Sequence, residues 1–98
     1  MPRDRVEALA VRHAPSEQRF CADVDGLTAY LTYRERDGRI LDLDHTFVPP
    51  ALRGGGIASQ ITAHALRFAR QEGYRVMPSC PFVAAYIARH PEFQDLMA

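Results

Sequence analysis

The residues best suited to chemistry stand together in one run. Arg53-Gly54-Gly55-Gly56 leads directly into Ile57-Ala58-Ser59, the start of a helix-patterned stretch. Glycines let the main chain come close to a ligand and accept positive φ without penalty. The first N–H groups of a helix have no internal acceptor, and the helix dipole adds a favourable field there. Together these features suit a phosphate-like anion, and Arg53 could add a charge-assisted hydrogen bond. Two familiar phosphate motifs are excluded. A P-loop needs Lys-Ser/Thr after its last glycine, where Ile57-Ala58 stands. A dinucleotide fingerprint needs G-x-G-x-x-G, whereas Gly54-x-Gly56 is followed by Ala58-Ser59. On these glycines alone, a plain strand-to-helix turn is the simpler account.

Other side chains with chemical potential flank this turn. His45 could take a proton from an ammonium, directly or through water. Strict alternation puts it on a face with Leu41, Leu43 and Phe47, where a satisfied core histidine is an equal reading; a strand bulge would reverse the face. Cys80 stands just before a helix, a setting where reactive thiols are found, although a small packed cysteine is the commoner outcome. Cys21 reads as packing. Asp42 and Asp44 share one face of their strand and could orient an amine, with solvated surface carboxylates as the simpler reading.

The elements that must position these groups follow from periodicity. Residues 18–24 alternate as a strand, and Asp25-Gly26 marks a tight hairpin turn. Residues 27–36 alternate again, Asp37-Gly38 makes a second turn, and a third strand runs from Arg39 to about Val48, ended by Pro49-Pro50. From Ile57 to Glu72 the period becomes helical, with Ile57, Ala58, Ile61, Ala65, Phe68 and Ala69 on one stripe and Gln60, His64, Arg67 and Gln71 opposite. Gly73 suits the left-handed residue that ends a helix. Tyr74 to Met77 is a short strand. Cys80 caps a second helix with Pro81 at its first position and Pro91 as its stop. Residues 92–97 could add a short turn. The stretch Arg5 to His13 fits either a short helix or a first strand. The order is β-β-β-α-β-α, an α+β domain with helices packed on a mostly antiparallel sheet.

Composition bounds the reading. Ninety-eight residues give room for one domain, 1–98. Twelve basic and twelve acidic residues balance, which argues against nucleic-acid or membrane-surface binding through bulk charge. Two cysteines, no secretory leader and no membrane-length apolar run point to a cytoplasmic protein with free thiols. No Cys/His spacing matches a structural metal site.

The run Val48-Pro49-Pro50-Ala51-Leu52-Arg53-Gly54-Gly55-Gly56-Ile57-Ala58 resembles the acetyl-CoA-binding motif of the GNAT N-acetyltransferase superfamily, Arg/Gln-x-x-Gly-x-Gly/Ala after a strand ending in Val-x-Pro. Arg53, Gly56 and Ala58 fill the fixed positions. Asp44 to Pro49 and Pro81-Phe82 to His90-Pro91-Glu92-Phe93 are similar to the compact, stand-alone members of that superfamily, and the likeness spans about residues 17–93.

The resemblance implies a single GNAT-like domain and an acetyl-CoA-dependent N-acyltransferase working by direct transfer to an amine. Backbone N–H groups from about Gly54 to Ser59, namely Gly54, Gly55, Gly56, Ile57, Ala58 and Ser59, would hold the pyrophosphate, with Arg53 beside them. The strand ending at Phe47-Val48 would diverge from the strand near Val76, and the pantetheine arm would lie in the gap. His45, from its own chemistry above, is the candidate base. Tyr86 matches the tyrosine that many members use to protonate the leaving thiolate, with a core-edge tyrosine as the plain alternative. Cys80 could carry the acyl group transiently or form a mixed disulfide with coenzyme A. The chain lacks the helical insert between the first two strands and the C-terminal hairpin of larger members, so the acceptor, a small molecule or a protein-borne amine, is unspecified. A non-catalytic acyl-CoA-binding module and a small interaction domain are the alternatives. A monomer or weak homodimer is expected.

Overall fold

A computed structural model describes residues 9–98, and the first part of the ambiguous Arg5 to His13 stretch therefore lies outside the described residues. Among the described residues five strands form one sheet in the order β1-β2-β3-β4-β5. They are β1 (Arg12–Ala14), β2 (Arg19–Val24), β3 (Leu27–Arg36), β4 (Ile40–Phe47) and β5 (Arg75–Met77). Among the described residues two helices, α1 (Ile57–Glu72) and α2 (Pro81–Arg89), contribute to one core with the sheet.

The turn chemistry acts as expected. Asp25 and Gly26 both take positive φ, 52° and 78°, which matches the twist of a two-residue hairpin. Residues 37–39 connect β3 to β4, with Gly38 and Arg39 left-handed. Gly73, at φ 79°, ends α1. Pro81 opens α2 behind Cys80, whose N–H donates to Leu43 O at 2.9 Å.

Strands β1 to β4 are antiparallel; β4 and β5 run parallel, with Ile40 opposite Arg75 and Asp42 opposite Met77. The added strand β1 settles the remainder of the ambiguous stretch at residues 12–14. It is short, and its inward group is His13, whose ring stacks on Phe20 at 4.4 Å and whose Nε2 meets the Tyr33 hydroxyl at 2.6 Å.

The core joins Phe20, Leu31, Leu41, Leu43 and Val76 of the sheet to Ile61, Leu66, Val83 and Ile87 of the helices. Helix α1 is buried more widely than one stripe, because Thr62 and Leu66 also lie inside. Phe93 and Leu96, on the turn Pro91–Leu96 that follows α2, seal the end of the core.

Two features of β4 matter for the site. A bulge interrupts its pairing with β3: Tyr33 faces Leu43 while Thr32 faces His45, leaving Asp44 as the extra residue. Ladder pairing with β5 ends at Asp42, and β4 continues to Phe47 without a strand on that side.

Candidate functional site

The divergence of β4 from β5 opens a cleft of about 320 Å³. Thr46, Phe47 and Val48 line one wall, Leu52 to Gly54 and the first turn of α1 the other, and Phe82 of α2 closes one side. Among the described residues its lining contains no carboxylate.

The loop at its mouth is built locally. Pro50–Leu52 form a single 3₁₀ turn, with Leu52 N–H donating to Pro49 O at 2.8 Å. Arg53 is exposed and does not point freely into solution. Its Nε donates to Val48 O at 2.8 Å, tying the loop to the end of β4. Gly54 and Gly56 take φ of 89° and 80°, and a Cβ built on either would meet no atom within 4 Å. The space over the turn is therefore open, and only glycine leaves it so at no backbone cost.

Gln60 donates to Gly56 O at 3.1 Å, the first bond of the helix. No main-chain acceptor is found among the described residues for the N–H groups ahead of it, residues 54–59. No side chain caps the helix either. An uncapped helix start, a side-chain-free approach and an acid-free lining together suit a diphosphate. The residues present thus fit the pyrophosphate of coenzyme A.

Cys80 packs against Thr46, one of the residues that line the cleft. Its Sγ lies 3.4 Å from Thr46 Oγ1, and the residue is buried. The two cysteines are both free and buried.

The bulge at Asp44 corrects the strict-alternation reading of His45. Leu41 and Leu43 face the core, but beyond the bulge Thr46 takes the core-facing register opposite Leu31, and His45 and Phe47 turn to the other face. There His45 is exposed, with its ring 6.2 Å from Tyr30; Phe47 lies 5.5 Å from the same ring. Phe47 therefore reaches the cleft from the strand that bears it, while its ring belongs to the open face.

Asp42 and Asp44 are not the simple surface pair of the sequence reading. Asp44 accepts a hydrogen bond from Thr32 at 2.6 Å. Asp42 is buried and takes Arg36 at 2.9 Å. The neighbouring Ser79 hydroxyl, then Arg36, hold its carboxyl below the usual carboxylate range against the opposing effect of burial.

Tyr86 is half-buried on α2, stacked on His90 at 3.8 Å, and burial raises its hydroxyl above the ordinary phenol value. It lines a second groove with Ser59, Gln60, Ala63, His64 and Arg67 of α1, rather than the cleft. The structure thus gathers Phe47, Val48, Arg53, Gly54, Ile57 and Ala58 at one cleft, with Cys80 packed against Thr46 of its wall. His45 and Tyr86 stand on two other surfaces.

Thr46 is not singled out by sequence, and Phe82, which by sequence reads most simply as core or core-edge packing, is exposed and lines the cleft. Phe82 carried a signal, since a large apolar residue right after Pro81 sits on an exposed first helical turn. Thr46 carried none, because its face depends on the bulge.

A profile described as GCN5-related N-acetyl-transferase matches residues 19–96. Protein NATD1 of Homo sapiens is 33% identical over 85 residues, covering 85% of this chain and 75% of that protein. Protein NATD1 of Xenopus tropicalis is 29% identical over 90 residues, covering 90% and 83%. The solution structure of a GCN5-like putative N-acetyltransferase from Staphylococcus aureus superposes with a TM-score of 0.73 at 25% identity, covering 92% of this chain and 88% of that one.

Proposed function

The chain belongs to the GCN5-related N-acetyltransferase family, and from that premise we propose that it transfers an acetyl group from acetyl-CoA to an amine by direct attack. The observation that carries the reading is the cleft opened where β4 leaves β5, with the unpartnered amides of residues 54–59 at its mouth. Bound acetyl-CoA supplies an activated thioester. The chain's own residues do the rest.

The amides of Gly54 to Ser59 bind the diphosphate, and Arg53 holds the loop in the shape that presents them. The β4 segment from Thr46 to Val48 offers main-chain groups to the pantetheine amides. One N–H there polarises the carbonyl oxygen in a setting shielded from water. An amine reaching the carbonyl from the open face of the sheet passes His45. The imidazole takes the proton that the ammonium must lose before its nitrogen can attack. A C–N bond forms, the C–S bond breaks, and the leaving sulfur needs one proton. We assign that proton to Cys80, whose thiol contacts Thr46 of the cleft wall and is restored by the second proton that the nitrogen sheds as the amide forms, with Tyr86 as the donor implied by family likeness.

Isothermal titration with acetyl-CoA tests the first half of this reading, and thiol release over a panel of amines tests the second. Binding with amine-dependent thiol release is the expected result. Binding without release for any amine would leave a non-catalytic acyl-CoA module. No binding at millimolar ligand would remove both.

A further inference from the structure

Among the described residues both helices pack against one side of the sheet, and the opposite side carries a band of rings. Tyr30 of β3 stands opposite Phe47 of β4, and Thr32 stands opposite His45 in the next row. The Tyr30 ring lies 5.5 Å from Phe47 and 6.2 Å from His45. Tyr30 and Phe47 are half-buried, and His45 is exposed. Phe47 also lines the cleft, so the band runs from the cleft wall onto the open face.

The polar side chains that border this band hold one another. Thr28 donates to Asp23 at 2.7 Å, and Arg12 pairs with the same carboxylate. Thr32 donates to Asp44 at 2.6 Å, and Arg34 faces that carboxylate at 3.7 Å. Arg19 donates to Glu17 at 2.9 Å, while its guanidinium lies 5.0 Å over the Tyr30 ring. A ligand arriving here meets apolar ring surface, an imidazole and one fixed cation. A second ammonium on that ligand would meet Arg19 and carboxylates that already have cationic partners.

We propose that the acceptor is a primary amine carried on a short spacer from an aromatic ring, and that Tyr30, with Phe47, sets this preference by packing against that ring. The proposal rests on the acetyl-transfer reading and deepens it by naming the substrate class. A ring packed on Tyr30 sits at a centroid distance of roughly 4.5–7 Å, in an offset or edge-to-face arrangement. Its amine must come within about 3 Å of the His45 imidazole, whose ring is 6.2 Å from Tyr30. A spacer of about two or three carbons covers the step from one to the other. A polyamine brings charge that the rim repels and no ring. A protein-borne lysine brings the amine without a ring, and its flanking main chain finds polar side chains that are already satisfied.

The experiment measures thiol release from acetyl-CoA with 2-phenylethylamine, n-butylamine, spermidine and a lysine-containing peptide. The proteins are the wild type, Tyr30→Ala, Tyr30→Phe and Met77→Ala. Met77 is an exposed apolar residue opposite Asp42 on β5, outside the band and the cleft, and controls for lost apolar surface. The wild type is expected to favour 2-phenylethylamine over n-butylamine by about tenfold in kcat/KM, the size of one or two aromatic contacts. Tyr30→Ala should remove most of that preference through a higher KM for 2-phenylethylamine. Tyr30→Phe keeps the ring and should keep the preference, as should Met77→Ala. Equal use of 2-phenylethylamine and n-butylamine by the wild type, or faster use of spermidine or the peptide, would overturn this inference and leave the transfer reading standing. A preference that survives Tyr30→Ala, or falls as far in Met77→Ala, would overturn it too. Release from none of the amines would overturn both.

Discussion

Replacing Gly56 with valine separates what the glycine turn does for the fold from what it does for the ligand. Gly56 sits at φ 80°, where an L-residue costs about 1–2 kcal/mol. A Cβ there meets no atom within 4 Å, so an alanine adds no clash to that backbone cost, while the branched valine adds to it. In a domain of this size, 1 kcal/mol moves the melting temperature by roughly 4–8 °C, so the variant should melt several degrees lower and still cooperatively. Gly56→Ala carries the positive-φ cost without the branched side chain and serves as the first control. Gly55→Ala is the second: Gly55 needs no positive φ, and its Cβ would make an ordinary contact with Leu52 O at 3.8 Å.

The ligand effect is larger. At a hundred times its dissociation constant, acetyl-CoA should add about 2.7 kcal/mol to the wild type. If the valine methyls stand over the amides and weaken binding about a hundredfold, the same concentration adds only about 0.4 kcal/mol. Differential scanning fluorimetry with and without acetyl-CoA reads both quantities. Gly55→Ala should keep most of the ligand-induced rise, Gly56→Ala should keep less, and Gly56→Val should lose nearly all of it. A Gly56→Val protein that melts lower yet gains as many degrees from acetyl-CoA as the wild type would refute the reasoning that the diphosphate lies over this turn.

Further outcomes follow from the same geometry. His45→Ala should leave acetyl-CoA affinity unchanged and lower kcat by about a hundredfold or more at neutral pH, the usual contribution of a positioned base; unchanged turnover would mean that proton removal is left to solvent. Cys80→Ala and Tyr86→Phe, compared in the same assay, should reduce kcat only for the residue that protonates the sulfur; equal wild-type rates in both would remove the assigned acid. Asp42→Ala should destabilise the fold by about 1–3 kcal/mol in urea titrations, since it leaves Arg36 without the buried carboxylate it pairs with. Stability should also fall as the pH drops below about 6.5, the ordinary histidine value. Burial holds the folded-state values of His13 and His64 below it, so the unfolded chain binds protons that the native state refuses. The loss continues until the pH passes the lowered values, and it should flatten in a His13→Phe, His64→Gln double variant.

Much of the fold is legible because its punctuation is local. Asp25-Gly26, Gly73 and Cys80-Pro81 each act through their own backbone preferences, and each stands where a turn, a helix end and a helix start occur. The cleft is legible for the same reason, since Pro49-Pro50 and the three glycines dictate a loop whatever packs around it. What escaped depends on distant partners. Strand β1 has three residues and an inward-facing histidine, so only its pairing with β2 makes it a strand. The bulge at Asp44 arises from the register against Thr32 and Tyr33, and nothing near Asp44 announces it. One extra residue there exchanges the faces of His45, Thr46 and Phe47, which decides what lines the cleft and what looks onto the open sheet. The wide burial of α1 has the same origin, because Thr62 and Leu66 are enclosed by elements far along the chain.

The most direct test follows backbone amide resonances of the ¹⁵N-labelled protein during titration with acetyl-CoA. The largest shifts should fall on residues 54–59, with a second set on Thr46, Phe47 and Val48. Shifts confined to other surfaces, or none at saturating ligand, would contradict the claim that free amides at the start of α1 grip a diphosphate.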